Sequence, residues 1–165
     1  MLYNWYAVYT NPRTEKKINE RLLKKNIEVY LPLQKKLRQW KDRKKWVEEP
    51  LIHSYIFVKV SEKEYYDVLN TSGIVRYVTF SGKAAPIPEW QIVAMKQLIE
   101  SKHDFEVTTE ELQKGDYVKV VSGALTGMQG ELISFRSEKK VLIRIEHIGH
   151  CLIVNIPLSQ LKPVN

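Results

Sequence analysis

Between Gln34 and Trp46 the chain reads QKKLRQWKDRKKW, seven Lys or Arg and one Asp in thirteen residues, with Trp40 and Trp46 set among them. Such a run repels itself and adds little to a core, so its natural partner is anionic. Nucleic-acid phosphate fits, with the two indoles available to stack on bases or sugars. The competing reading is a solvated hairpin whose lysine-rich edge blocks aggregation. A second cluster, His147, His150 and Cys151, has metal-ligand chemistry. Strand alternation would scatter these side chains over two faces, and no fourth ligand stands near them in sequence, so no metal is expected. Covalent chemistry finds no frame: there is no P-loop, no nucleophile motif and no recognisable pair of catalytic carboxylates. Glu48-Glu49, beside Pro50, reads as a surface charge pair. A binding protein without a cofactor is expected, not an enzyme.

The charge is unevenly spread. Residues 1–100 hold 18 Lys and Arg against 11 Asp and Glu, whereas residues 101–165 hold 8 of each, so the whole net charge of +7 sits in the first part. Two differently employed domains account for this better than one uniformly basic body. A hydrophobic fraction of 44% and an aromatic fraction of 10% suffice for a folded core. Cys151 is the single cysteine, which excludes an internal disulfide and points to a reducing compartment. The opening MLYNWYAVYTNPR is only briefly apolar and lacks the basic n-region of a signal peptide. No apolar stretch approaches the roughly 20 residues of a membrane span. A soluble, cytoplasmic monomer with no membrane partner is expected.

These residues need elements to position them. Trp5 to Tyr9 is a β-rich run, and Asn11 with Pro12 reads as the start of a helix carrying Ile18, Leu22 and Leu23, with Asn26 as its stop. Ile27 to Leu37 reads as strand interrupted near Pro32, and Leu51 to Val60 as the best strand of the first half. Ser61-Glu62-Lys63-Glu64 has the capping-box pattern and opens a helix with Tyr65, Val68 and Leu69; Gly73 ends it, and Ile74 to Phe80 is another strand. Pro86 and Pro88 introduce a last helix with Ile92, Met95 and Ile99 on one face. The order β-α-β-β-α-β predicts an α+β, ferredoxin-like split βαβ domain over residues 1–100. Residues 101–113, polar and aperiodic, read as a linker. From 114 to 165, YVKVV, ELISF, KVLIRIE and CLIVNIP are four close-spaced strands, the pattern of a small barrel. Gly123, Gly127 and Gly130 would let the chain turn back between the first two of them.

WYAVYTNPRTEKKINERL, EEPLIHSYIFVKV, GIVRYVTFSGKAAPIP and KGDYVKVVSGALTGMQGELISF, in this order and spacing, resemble the NusG family of transcription elongation and antitermination factors. The resemblance covers nearly the whole chain: a NusG amino-terminal domain, a linker and a carboxy-terminal KOW domain, an SH3-like barrel. Within the family, GELISFRSEKKVLIRIEHIGHCLIVNIP is most similar to the specialised RfaH- and UpxY-type antiterminators of particular long operons. The resemblance implies docking on the clamp helices of the RNA polymerase largest subunit, bridging of the DNA cleft and suppression of pausing. It also implies recruitment of a small-subunit ribosomal protein or the Rho terminator through the KOW domain.

Tyr9, Tyr55 and Phe57 match the family positions that meet the clamp helices. Independently, alternation puts Tyr55 and Phe57 with His53 and Lys59 on one face, and Ile52, Ile56, Val58 and Val60 on the other. The competing reading is that both faces are core. Lys35, Lys36, Arg38, Lys41, Arg43, Lys44 and Lys45 would lie on a hairpin that in this family projects near upstream DNA, as phosphate contacts without sequence choice. Arg13, Lys16 and Lys17, placed at a helix start against the macrodipole, are expected to approach nucleic acid too, with solvated charge as the alternative. Thr71-Ser72-Gly73 falls where RfaH-type members carry a basic residue that reads DNA; here Arg76, three positions on, is the basic side chain available. A rival function is a ribosome-associated KOW protein that binds rRNA, against which stands the zero net charge of residues 101–165. The β-branched load of the carboxy-terminal segment predicts strands there, not the helical hairpin known in RfaH.

Overall fold

Residues 2–164 are described by the computed structural model, mostly strands with three α-helices among them. The chain divides at Pro86–Ile87 into two units. The first runs β1 (Asn4–Thr10), α1 (Glu15–Lys24), β2 (Glu28–Tyr30), β3 (Leu33–Gln39), β4 (Lys44–Pro50), β5 (Tyr55–Val60), α2 (Tyr65–Leu69), β6 (Ile74–Tyr77), β7 (Thr79–Phe80) and β8 (Lys83–Ala84), with β9 (Pro86–Ile87) at the division. The main sheet has the path β2-β5-β1-β6 with antiparallel neighbours, so β5 lies between the two strands that α1 connects. Ile18 and Leu22, one helical turn apart, are fully buried against Val8, Ile56, Val58 and Val60. Arg21 Nη1 donates to Ser72 O at 2.7 Å and Lys25 Nζ to Asp67 O at 3.0 Å, fixing the helix to α2 and to the segment after it. That segment can approach only because residue 73 is glycine: φ is +96°, and a Cβ would stand 2.9 Å from the Ile18 side chain.

Several boundaries move from those the sequence predicts. The first helix begins at Glu15, not beside Asn11, because Arg13 is left-handed (φ 61°) and cannot be helical. Thr14 takes the cap position, its Oγ1 donating to Asn11 O at 2.7 Å. Asn26, the expected stop, is left-handed at φ 59°. The long strand begins at Tyr55 and not Leu51, since Ser54 turns the chain at φ 66° with its N–H held by Glu15 Oε2 at 3.1 Å. Ile74–Phe80 breaks after Tyr77; β7 and β8 form a separate hairpin across Ser81-Gly82.

The second unit holds α3 (Glu89–Ser101), β10 (Phe105–Thr108), β11 (Asp116–Val120), β12 (Gln129–Phe135), β13 (Glu138–Ile145), β14 (His150–Val154), a 3-10 turn (Leu158–Gln160) and β15 (Leu161–Pro163). Its sheet order is β10-β14-β13-β12-β11-β15. The division of the chain falls between Pro86 and Ile87, so that α3 groups with the strands that follow it. Gln91 Oε1 accepts Glu146 N–H at 2.9 Å and Gln97 Nε2 donates to Thr126 O at 3.0 Å, ties invisible to periodicity. The expected linker 101–113 contains β10, which pairs along β14 from Phe105↔Val154 to Thr108↔Cys151. Val118, Val120, Val141, Ile143, Leu152 and Val154 are buried, as their β-branched or apolar character demands. No helix among the described residues is long and apolar enough to cross a membrane.

Candidate functional site

Strand register assembles an aromatic face in the first unit. Tyr9 on β1 stands opposite Tyr55 on β5 and Arg76 on β6, and Phe57 on β5 stands opposite Tyr30 on β2. All five project from the sheet side away from Val8, Ile56 and Val58. The Tyr9 and Tyr55 rings lie 4.9 Å apart at 42°, Arg76 sets its guanidinium 4.9 Å from the Tyr9 ring, and Tyr30 and Phe57 are 6.4 Å apart. Burial, with a hydrogen bond to Tyr9, pushes the Tyr55 phenol up to about 12, so it remains a neutral hydrogen-bonding group at neutral pH.

Phe57 differs from the two tyrosines in burial. It is 0% exposed, whereas Tyr9 and Tyr55 are half-buried. The strand is apolar on both faces at this point, so Phe57 is a core side chain, and the tyrosines carry the reachable surface. Arg76, expected at nucleic acid, lies on the tyrosine ring as a cation–π partner. Tyr30 was not singled out by sequence reasoning: a three-residue strand is too short to show alternation, and its pairing with Phe57 bridges distant parts of the chain.

The basic run forms β3 and β4, a two-stranded sheet of its own, paired from Leu33↔Pro50 to Gln39↔Lys44. Trp40 N–H to Arg43 O at 2.8 Å closes the tip around Lys41 and Asp42, and Leu51 N–H to Pro32 O at 2.8 Å closes the base. Lys35, Lys36, Arg38, Lys41, Arg43, Lys44 and Lys45 are all exposed. They are not equivalent. Arg38 is paired with Glu49, its Nε donating to Oε1 at 2.6 Å, and this hydrogen bond holds the Glu49 carboxyl below the usual carboxylate range. Arg43 sits 5.8 Å from the centre of the Trp40 ring.

Arg13 and Lys17 are exposed at the start of α1, and Lys16 Nζ donates to Glu48 O at 2.7 Å, tying the helix to the hairpin base. Gly123 and Gly127 take φ of 88° and 93° in the loop between β11 and β12. Gly130 does not turn the chain: it lies within β12, where a Cβ would come 2.7 Å from the Val141 side chain. His147 is in the turn before β14; His150 and Cys151 begin that strand, with Cys151 buried and its thiol pushed up by burial. Beside Cys151, Arg144 Nε meets Glu131 Oε2 at 3.0 Å, and Glu131 Oε1 also accepts Gly115 N–H at 3.0 Å.

The family described as "Transcription termination factor nusG" matches residues 3–96, more than half of the chain. The chain belongs to the NusG family. That family comprises transcription elongation and termination factors. The transcription termination/antitermination protein NusG of Streptococcus pyogenes serotype M1 is 23% identical over 171 residues, 95% of this chain and 94% of that protein. The transcription elongation factor Spt5 of Acidianus ambivalens is 27% identical over 114 residues, 61% of this chain and 75% of that one. A solved structure of Thermotoga maritima NusG, described for its domain interaction, superposes with a TM-score of 0.51 at 22% identity, covering 99% of this chain and 98% of that chain. That likeness is one of fold. The NusG match includes the aromatic face and the basic hairpin, and stops short of Gly123, Gly127 and Gly130.

Proposed function

We propose that this NusG-family chain is an elongation and antitermination factor that docks on the clamp helices of RNA polymerase through Tyr9 and Tyr55. The carrying observation is the half-buried tyrosine pair on one sheet face, its rings 4.9 Å apart, with Arg76 over Tyr9. Large amphipathic rings held in place lose little entropy on binding, and aromatic and Arg side chains dominate protein contacts. Phe57, buried on the same sheet face, packs beside this surface. The hairpin would then lie along nucleic acid of the transcription complex, and bridging the cleft would favour the elongating conformation over the paused one. In this reading the first unit is a ferredoxin-like NusG domain and the carboxy-terminal strands are an SH3-like KOW barrel. That barrel recruits a ribosomal protein or Rho. The carboxy-terminal stretch favours an operon-specific, RfaH- or UpxY-like role over a housekeeping one. Residues 101–165, with no net charge, disfavour rRNA as the principal partner. Co-purification with core RNA polymerase and with ribosomes, side by side, tests the reading: retention on ribosomes alone overturns it.

A further inference from the structure

The hairpin register sorts its side chains into two unlike faces. Lys35, Leu37 and Gln39 on β3 share one face with Lys44, Trp46 and Glu48 on β4, and Lys36 and Arg38 share the other with Lys45, Val47 and Glu49. On the second face Glu49 takes up the charge of Arg38. On the first, Leu37 and Trp46 are directly opposite one another, 48% and 65% exposed, and the next pairs on that face are Lys35↔Glu48 on one side and Gln39↔Lys44 on the other. The cross-strand pair is thus a flat apolar plate between two cations. A protein core has no use for it, and an acidic peptide would satisfy the lysines but not the indole.

We propose that the Leu37–Trp46 face is a stacking platform for single-stranded nucleic acid, Trp46 receiving an unpaired base while Lys35 and Lys44 hold the phosphates on either side. Every base has a π face, so the platform is indifferent to sequence; a duplex hides its bases and can offer this face only phosphates. The proposal rests on the reading that the hairpin meets nucleic acid and specifies which form it meets. DNA and RNA strands share the chemistry, since neither stacking nor phosphate contact involves the 2′-hydroxyl.

Fluorescence anisotropy of the full chain with labelled oligothymidylate, oligouridylate and a DNA duplex tests this, comparing Trp46→Ala and Trp46→Phe with the unaltered protein. Trp46→Ala should weaken both single strands by about tenfold, the loss expected for one stacked base, while Trp46→Phe retains most of the affinity and duplex binding stays unchanged. Loss on only one of the two single strands assigns the platform to that one. Equal losses on strand and duplex, or none on either, overturn the platform while leaving the hairpin a nucleic-acid contact. Failure of the unaltered protein to bind any of the three probes overturns the hairpin reading itself. Circular dichroism of each variant shows that the fold is kept, and the Phe variant distinguishes a lost π face from a disturbed strand.

Discussion

Phe57 and Tyr55 are two residues apart on the same face of β5, yet truncation should cost stability to very different degrees. Phe57 is fully buried and pairs across the sheet with Tyr30. Replacing it by Ala removes a large side chain from a packed site, at about 3–5 kcal/mol, a large part of the roughly 5–15 kcal/mol that holds a domain folded. Tyr55 is half-buried and its ring contact is with Tyr9, so Tyr55→Ala forfeits about 0.5–1.5 kcal/mol of ring interaction and only part of a burial term. In urea unfolding followed by circular dichroism, with a slope of about 2 kcal/mol per molar, Phe57→Ala should lower the midpoint by roughly 2 M. Tyr55→Ala should lower it by about 1 M or less on the same slope. Equal shifts in the two variants would refute the assignment of Phe57 to the core and Tyr55 to the surface. Binding tests must therefore use the tyrosines, because a Phe57 variant confounds docking with folding.

Two further outcomes follow from the charged groups. Neutralising Lys41, Arg43, Lys44 and Lys45 to Gln should reduce the log–log salt slope of nucleic-acid binding by about 3 units and leave stability unchanged; an unaltered slope makes the run a solvated edge. Glu131→Ala should destabilise the second unit by about 3–5 kcal/mol, since it strips a buried carboxylate (3% exposed) from Arg144 and from Gly115 N–H. Removing both charged partners together, as Glu131→Leu with Arg144→Met, should cost less in urea unfolding than Glu131→Ala alone.

Local patterns were legible in the sequence, and non-local ones were not. Ile18 and Leu22 announced the buried stripe of α1, Asn26 its end, and the break at Pro32 the separation of β2 from β3. The β-branched load of the carboxy-terminal segment likewise emerges as strands. Hidden were features decided by a single backbone angle or a distant partner. Left-handed Arg13 and Ser54 shift the starts of α1 and β5, and nothing in their side chains demands that conformation. β10 exists because the edge of β14 offers it hydrogen bonds, and α3 joins the second unit through Gln91 and Gln97. For the site, alternation put Tyr55 and Phe57 on one face but could not tell that Phe57 is covered there and Tyr55 only half so. Arg76 reached Tyr9 through strand register, which no local pattern encodes.

The central claim is that Tyr9 and Tyr55 hold this protein on RNA polymerase, and a titration of core enzyme with the full chain tests it most directly. Saturable one-to-one binding is predicted, weakened at least about thirtyfold in Tyr9→Ala/Tyr55→Ala, as expected when aromatic hot spots worth 2 kcal/mol or more are removed. Circular dichroism should show that this variant is folded. Absence of binding by the unaltered protein, or undiminished binding by the folded double variant, would contradict the account.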